Sequence, residues 1–191
     1  MTIPPRARTR RSVIAYIFWH APAAGSDIHA YETQLVRFHE LLATAAIAGY
    51  ERSYSCAVSG LPWVSSSPAY EDWYVLADSA ALDRINEAAL GAHARPLHDS
   101  LAAAADFGAG GLYRHRTGPD GRSSRYASWF GKPPGMSYAD LADTLAAAPE
   151  GAALWQRQMV LGPGREFCVL APHEVKLPEP LQGLAVDRRL L

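Results

Sequence analysis

His20 closes the apolar run VIAYIFWH and is followed at once by APAAGSD. An imidazole, the side chain that titrates nearest neutrality, thus stands where a strand meets a Pro/Gly-rich connection. That is a place for an acid or base at the mouth of a site; the alternative is a ring bonded to loop backbone. His115, in GGLYRHR, is a second strand histidine, and alternation turns either it or Arg114 inward. His93 and His98, in GAHARPLHDSL, are separated by Pro96. Their spacing of five does not put both on one helical face, which argues against a shared metal ion. Cys56 and Cys168 sit in the strand-like runs YSCAV and EFCVL, where a thiol serves as a small buried hydrophobe rather than as part of a disulfide or zinc framework. There is no HExxH and no GxSxG, and GAGGLY and GPGRE lack the strand, spacing and helix of a phosphate-binding loop.

The elements that must position these residues are written twice. AYIFWHAPAAGSDIHAYETQL and RYASWFGKPPGMSYADLADTL align Tyr16 with Tyr126, Trp19 with Trp129, Gly25 with Gly135 and Leu35 with Leu145 at one constant offset. Each stretch reads as a β-branched and aromatic strand, a Pro/Gly-rich connection, and a helix capped by Ser26 or Asp27 in one copy and Ser137 in the other. Ile28, Tyr31, Leu35, Phe38 and Leu42 give the first helix an apolar stripe, which Tyr138, Leu141 and Leu145 begin to repeat. DWYVLA then matches EFCVLA at a shorter offset. ADSAALDRINEAAL and RPLHDSLAAAADF predict further helix in the first copy, the second run opened by Pro96. HEVKLPEPLQ argues against a regular helix at the equivalent place in the second.

The chain therefore reads as α+β: two ferredoxin-like βαββαβ units, the second degenerate, whose antiparallel sheets close as an α/β barrel within one chain. The expected boundaries are residues 1–12 as a disordered basic N-terminus carrying four arginines, 13–118 as the first unit and 123–191 as the second. A pair fused in this way should form its barrel as a monomer, with homo-oligomers possible through outer surfaces. On the first strand the expected parity turns Val13, Ala15 and Ile17 to the helices and Ile14, Tyr16, Phe18 and His20 to the barrel interior; the reverse parity would bring in Trp19. Tyr126, Ser128 and Phe130, with Arg52, Tyr54 and Cys56, and with Trp73 and Val75, are the other expected interior residues. Tyr16, Phe18, Trp73, Tyr126 and Phe130 would then line an aromatic cavity suited to a flat apolar ligand. Trp63, in LPWVSSSPAY, lies in a connection long for a hairpin, as a lid over that ligand, an interface loop, or a loose tip.

Composition narrows the functions. The chain has 191 residues, 49% of them hydrophobic, and a formal net charge of −1, which gives no general basic field for nucleic acid. No apolar run is long enough to span a bilayer, and VIAYIFW is too short and aromatic for a secretory signal, so a cytoplasmic location is expected and no membrane partner.

Taken together, the tandem units and aromatic strand faces resemble the dimeric α/β-barrel superfamily, and antibiotic-biosynthesis monooxygenases within it, over about residues 12–191. The resemblance implies a cofactor-independent oxygenase or isomerase acting on an aromatic or polyketide-like substrate. His20 or His115 would remove a proton, and Arg52 or Tyr54 would stabilise the oxyanion. It also implies a lesser reading, haem bound by His93, His98 or His115. A non-catalytic ligand-binding or assembly module remains the alternative, favoured by the degenerate second copy.

Overall fold

The computed structural model describes residues 13–64, 66–145 and 151–191; the expected disordered N-terminus lies outside them. The first unit runs β1 (Ile14–Pro22), α1 (Ile28–Thr44), β2 (Tyr50–Val58), β3 (Ala69–Leu76), α2 (Ala80–Ala89), α3 (Arg95–Ala104) and β4 (Ala105–Thr117). The second runs β5 (Tyr126–Phe130), α4 (Tyr138–Leu145), β6 (Ala153–Arg157), β7 (Phe167–Ala171) and β8 (Leu184–Leu190), with no helix described between β7 and β8. All eight strands close into one barrel in the order β1-β3-β2-β8-β5-β7-β6-β4. Every described pairing is antiparallel, and the seams between units are Cys56–Val58 against Arg188–Leu190 and Tyr113–Thr117 against Leu154–Arg157.

Local chemistry accounts for the helices. Asp27 caps α1, its carboxylate accepting from the Ala30 backbone N–H at 3.0 Å. Ser137 caps α4 reciprocally with Asp140: Ser137 Oγ accepts from the Asp140 N–H at 3.1 Å, and the Asp140 carboxylate accepts from the Ser137 N–H at 3.3 Å. Pro96 sits in the first turn of α3, where a missing N–H costs nothing. The buried face of α1 is Tyr31, Leu35, Phe38, His39 and Leu42, so His39 joins the expected stripe and half-exposed Ile28 drops out.

The barrel interior is solid. An eight-stranded barrel leaves room only for side chains, and here all five tryptophans supply them. Trp19, Trp63 and Trp129 meet edge to face near one end, with centroids 5.4–5.6 Å apart, and Trp73 and Trp155 meet at 5.3 Å. Cys56 and Cys168 are buried free thiols among them; burial pushes the Cys56 thiol up to about 12. Within this core Arg188 Nε donates to Glu71, both side chains fully buried. The guanidinium also donates to the Ser124 carbonyl at 2.8 Å and lies 5.5 Å from the Trp73 ring centre.

This packing reverses the expected parity of β1. Ala15, Ile17, Trp19 and Ala21 point into the barrel, whereas Ile14, Tyr16, Phe18 and His20 point outward to the helices. The same reversal holds on β5, where Ala127 and Trp129 are interior and Phe130 packs beneath α4. Tyr54, Cys56, Trp73 and Val75 are interior as expected, but as close-packed core rather than as a cavity wall. The cause is volume: the indoles fill the interior and leave no space for a flat ligand beside them.

Between sheet and helices the two units differ. Beneath α4, Phe130, Phe167 and Val169 are covered by Leu141, Leu145 and by Val175, Leu177 and Leu181 from the segment before β8. Beneath α1, α2 and α3 a buried cluster that includes Ile14, Leu42, Tyr70 and Leu76 packs part of the interface, and beside it a cavity of about 680 Å³ is left open.

Candidate functional site

The cavity is built from alternate residues of two neighbouring strands under three helices. β1 contributes Tyr16, Phe18 and His20; β3, paired with it, contributes Asp72 and Tyr74. Tyr31, Leu35 and Phe38 of α1 roof them, and Ile85 of α2 and Leu101 of α3 close the sides. Two glycines of β4 let the rings lie against the sheet: a Cβ on Gly108 would come within 2.8 Å of Phe18 Cζ, and one on Gly110 would overlap the Tyr16 ring and hydroxyl. Gly110→Ala is therefore expected to displace the Tyr16 phenol and to cost about 1–3 kcal/mol through overpacking, read as a lowered melting temperature with weakened binding of an aromatic probe.

At the deep end His20, 2% exposed, is stacked between Phe18 at 5.3 Å and Tyr70 at 5.6 Å. Its Nδ1 lies 2.7 Å from the Tyr31 hydroxyl and its Nε2 3.3 Å from Asp72 Oδ1. His39 approaches the same carboxylate oxygen from α1, with Nε2 at 3.4 Å, and its Nδ1 lies 2.7 Å from Ser53 Oγ. Neither Nε2 meets strict hydrogen-bond geometry toward that oxygen, so these two contacts are long and poorly aligned. Ser55 Oγ donates to Asp72 Oδ1 at 2.5 Å and the Tyr74 hydroxyl to Oδ2 at 3.4 Å. Burial alone would raise the Asp72 carboxyl, but the two imidazoles and their contacts outweigh it and hold the group well below the usual carboxylate range. An ionised Asp72 selects the tautomer in which each Nε2 carries the proton, leaving Nδ1 to accept from Tyr31 and Ser53. Burial, with the Asp72 charge behind it, pushes the phenols of Tyr16, Tyr31 and Tyr74 upward, so all three remain protonated donors near neutrality.

A second groove, about 580 Å³, lies on the other side of α1. It is lined by His39, Tyr50, Arg52, Ser53, Tyr54 and Arg122. The structure thus brings His20, Tyr16 and Phe18 together in the aromatic cavity and leaves the other expected site residues elsewhere. Arg52 opens onto the second groove, 3.5 Å from Asp120, and the Tyr54 ring, stacked on Trp73, borders that groove from the core. His115 meets Trp155 edge-on at 4.9 Å and its Nε2–H donates to the Pro119 carbonyl at 3.0 Å. Trp63, partly buried, packs edge-on against Trp19 and Trp129 of the barrel interior. Phe130 stacks on Phe167 at 5.3 Å, and Tyr126 shares its outward face of β5, away from both cavities.

Asp72, His39, Tyr31 and Tyr74 went unremarked as site residues in the sequence. The available signal was the pair Glu71-Asp72 inside the otherwise apolar run AYEDWYVLA: a central strand turns one acid to each face, and each must find a cation or donors. Here Glu71 goes inward to Arg188 and Asp72 outward to the histidines.

The residues do not fit haem. Of the three candidate ligands only His98 borders the cavity, at its rim with Nδ1 3.1 Å from Asp99, while His93 is exposed and His115 lies at the barrel end. Among the described residues no lysine or arginine lines the cavity to meet the two carboxylates of a haem, and Asp83 and Asp106 border it instead.

Two four-stranded halves, each with helices on one face, closed into one antiparallel barrel make the fold of the dimeric α/β-barrel superfamily, here within a single chain. Two solved structures share it. A chlorite dismutase-like protein is 13% identical, over 95% of this chain and 96% of its own, with a TM-score of 0.54. A monooxygenase-like protein from Lactobacillus acidophilus NCFM is 12% identical, over 94% of this chain and 93% of its own, with a TM-score of 0.53. At such identities the likeness is one of fold. No protein-family model matches the chain, nor does any curated protein sequence. No helix among the described residues is long and apolar enough to cross a membrane.

Proposed function

We propose that the cavity binds a flat, largely apolar molecule and that His20 removes a proton from it, as an isomerase or a cofactor-independent oxygenase requires. The observation that carries this reading is the buried imidazole at the end of an aromatic cavity, backed by an ionised carboxylate and joined at Nδ1 to a cavity-lining hydroxyl. The substrate C–H bond breaks as its proton passes to Tyr31 Oη while the phenol proton moves to His20 Nδ1. Asp72 stabilises the imidazolium, in the manner of the acid behind a catalytic histidine. The electron pair stays on the substrate as an enolate, for which the Tyr16 hydroxyl in the cavity wall is a suitable donor. Return of the proton to another carbon completes an isomerisation. Capture of the carbanion by dioxygen, the co-substrate, followed by return of the proton gives a hydroperoxide.

Anthrone, a flat tricyclic ketone with an acidic central methylene, tests the shared step. The protein is expected to accelerate exchange of the methylene hydrogens for deuterium in heavy water, followed by proton NMR, and His20→Gln to lose the acceleration. Binding without exchange would leave the second reading, a non-catalytic ligand module, which the capping of His20 Nδ1 by Tyr31 favours. Neither binding nor exchange would defeat both.

A further inference from the structure

The groove on the other side of α1 holds chemistry that proton abstraction in the aromatic cavity does not use. Strand alternation turns Ser53 and Ser55 of β2 to one face. Ser55 commits its hydroxyl to Asp72, whereas Ser53 Oγ, part-buried in the groove wall, donates to His39 Nδ1 at 2.7 Å. His39 Nε2 in turn lies 3.4 Å from Asp72 Oδ1. A serine within reach of an imidazole that is itself backed by a carboxylate is the arrangement of acyl-transfer enzymes, recognised by roles rather than by chain order. The Asp72 contact is long, as such contacts often are before substrate binds, but its charge keeps the proton on Nε2 and leaves Nδ1 as the base. The Tyr50 hydroxyl stands 2.9 Å from Ser53 Oγ, and since the serine proton points to His39, the phenol is the donor of that pair. Burial raises the Tyr50 phenol, against the pull of its Ser53 contacts and of the Arg122 and Arg52 charges, so it keeps its proton near neutrality.

We infer that this groove is a second active site, in which Ser53, activated by His39 and Asp72, hydrolyses uncharged carboxylic esters through a covalent acyl-enzyme. It goes beyond the proton abstraction of the proposed function and shares only Asp72 with it. Ser53 Oγ bonds to the ester carbonyl carbon as its proton passes to His39 Nδ1, and Asp72 stabilises the imidazolium. The carbonyl oxygen becomes an oxyanion, to which the Tyr50 hydroxyl donates within the positive field of Arg52 and Arg122. The bond to the alcohol oxygen then breaks, and that oxygen takes the proton back from Nδ1. Water repeats the sequence on the acyl-enzyme: it gives a proton to His39, bonds to the acyl carbon, and releases the acid as Ser53 recovers its proton. Val36, Ala43 and Ile47 supply an apolar wall for an acyl chain. Glu40 and Glu51 also line the groove, and Asp120 lies 3.5 Å from Arg52, so acidic and basic groups offset one another and favour a neutral substrate.

An alkyl fluorophosphonate and p-nitrophenyl butyrate test this on the intact protein. The fluorophosphonate is expected to form a P–O bond to Ser53 Oγ with loss of fluoride, read by peptide mass spectrometry of the wild type and so independent of how any variant folds. The ester is expected to turn over with release of nitrophenolate. Ser53→Ala and His39→Gln should each lower kcat/KM about 10³-fold, and the double variant should lose no more than either alone, because the two residues act as a unit. No phosphonylation, phosphonylation of Tyr50 or another residue in place of Ser53, or turnover that survives Ser53→Ala would overturn the second site. Anthrone exchange without ester turnover would defeat this inference and leave the proposed function standing; ester turnover without exchange would do the reverse.

Discussion

Arg188→Met should cost about 3–5 kcal/mol of folding stability, because it strands the Glu71 carboxylate in the barrel among indoles with only the Trp73 N–H, at 3.0 Å, to meet it. Burial works against the Arg188 charge, but Glu71 beside it more than compensates and raises the guanidinium further, so Arg188 stays charged. The double variant Glu71→Gln/Arg188→Met is expected to recover much of the loss, since two neutral side chains of similar volume need no charge compensation. Chemical denaturation of the wild type, each single variant, Glu71→Gln and Arg188→Met, and the double variant closes the cycle. Two losses that simply add would show that the ion pair is not what makes Arg188 necessary.

Asp72→Asn should slow anthrone exchange by about 10²–10⁴-fold. The asparagine oxygen can still accept from both Nε2–H groups, since both rings face one oxygen atom, but the neutral amide no longer stabilises the imidazolium that forms when His20 Nδ1 takes up the proton. Loss of exchange with anthrone affinity unchanged is the expected pattern; equal loss of affinity would make Asp72 a packing residue.

The same variant has a signature in acid. The folded-state pKa of Asp72 is depressed, so its stabilising contribution is complete above the ordinary carboxylate value of about 4 and is lost as pH falls below that toward the folded value. The wild type should melt well above the variant at about pH 7, and the gap should narrow by about pH 3. A gap independent of pH would mean that the carboxylate is not held ionised.

These two residues mark where the sequence could be followed and where it could not. Glu71 and Asp72 are adjacent, and strand alternation alone sends them to opposite faces. Their partners come from far along the chain: Arg188 from the last strand, His20 from the first and His39 from the first helix. His20 could be singled out because it ends a strand beside a loop. His39 could not, because in QLVRFHELLA it reads as one more residue of a helical face, and only the Asp72 carboxylate beneath that face gives it a task.

The sequence by itself determined the two βαββαβ units with a degenerate second half, a helix cap at Ser26 or Asp27 and another at Ser137, and most of the α1 stripe. All of these are local: each follows from residue types within one or two turns or strand pairs. Only the tertiary structure decided which face of β1 looks into the barrel, and with it where a ligand can sit. AYIFWH is apolar on both faces, so a period of two carries no direction. The choice falls to volume, because five indoles from five different segments must share one interior. Once they fill it, Tyr16, Phe18 and His20 are left on the outer face, under helices whose side chains do not reach far enough to close the space.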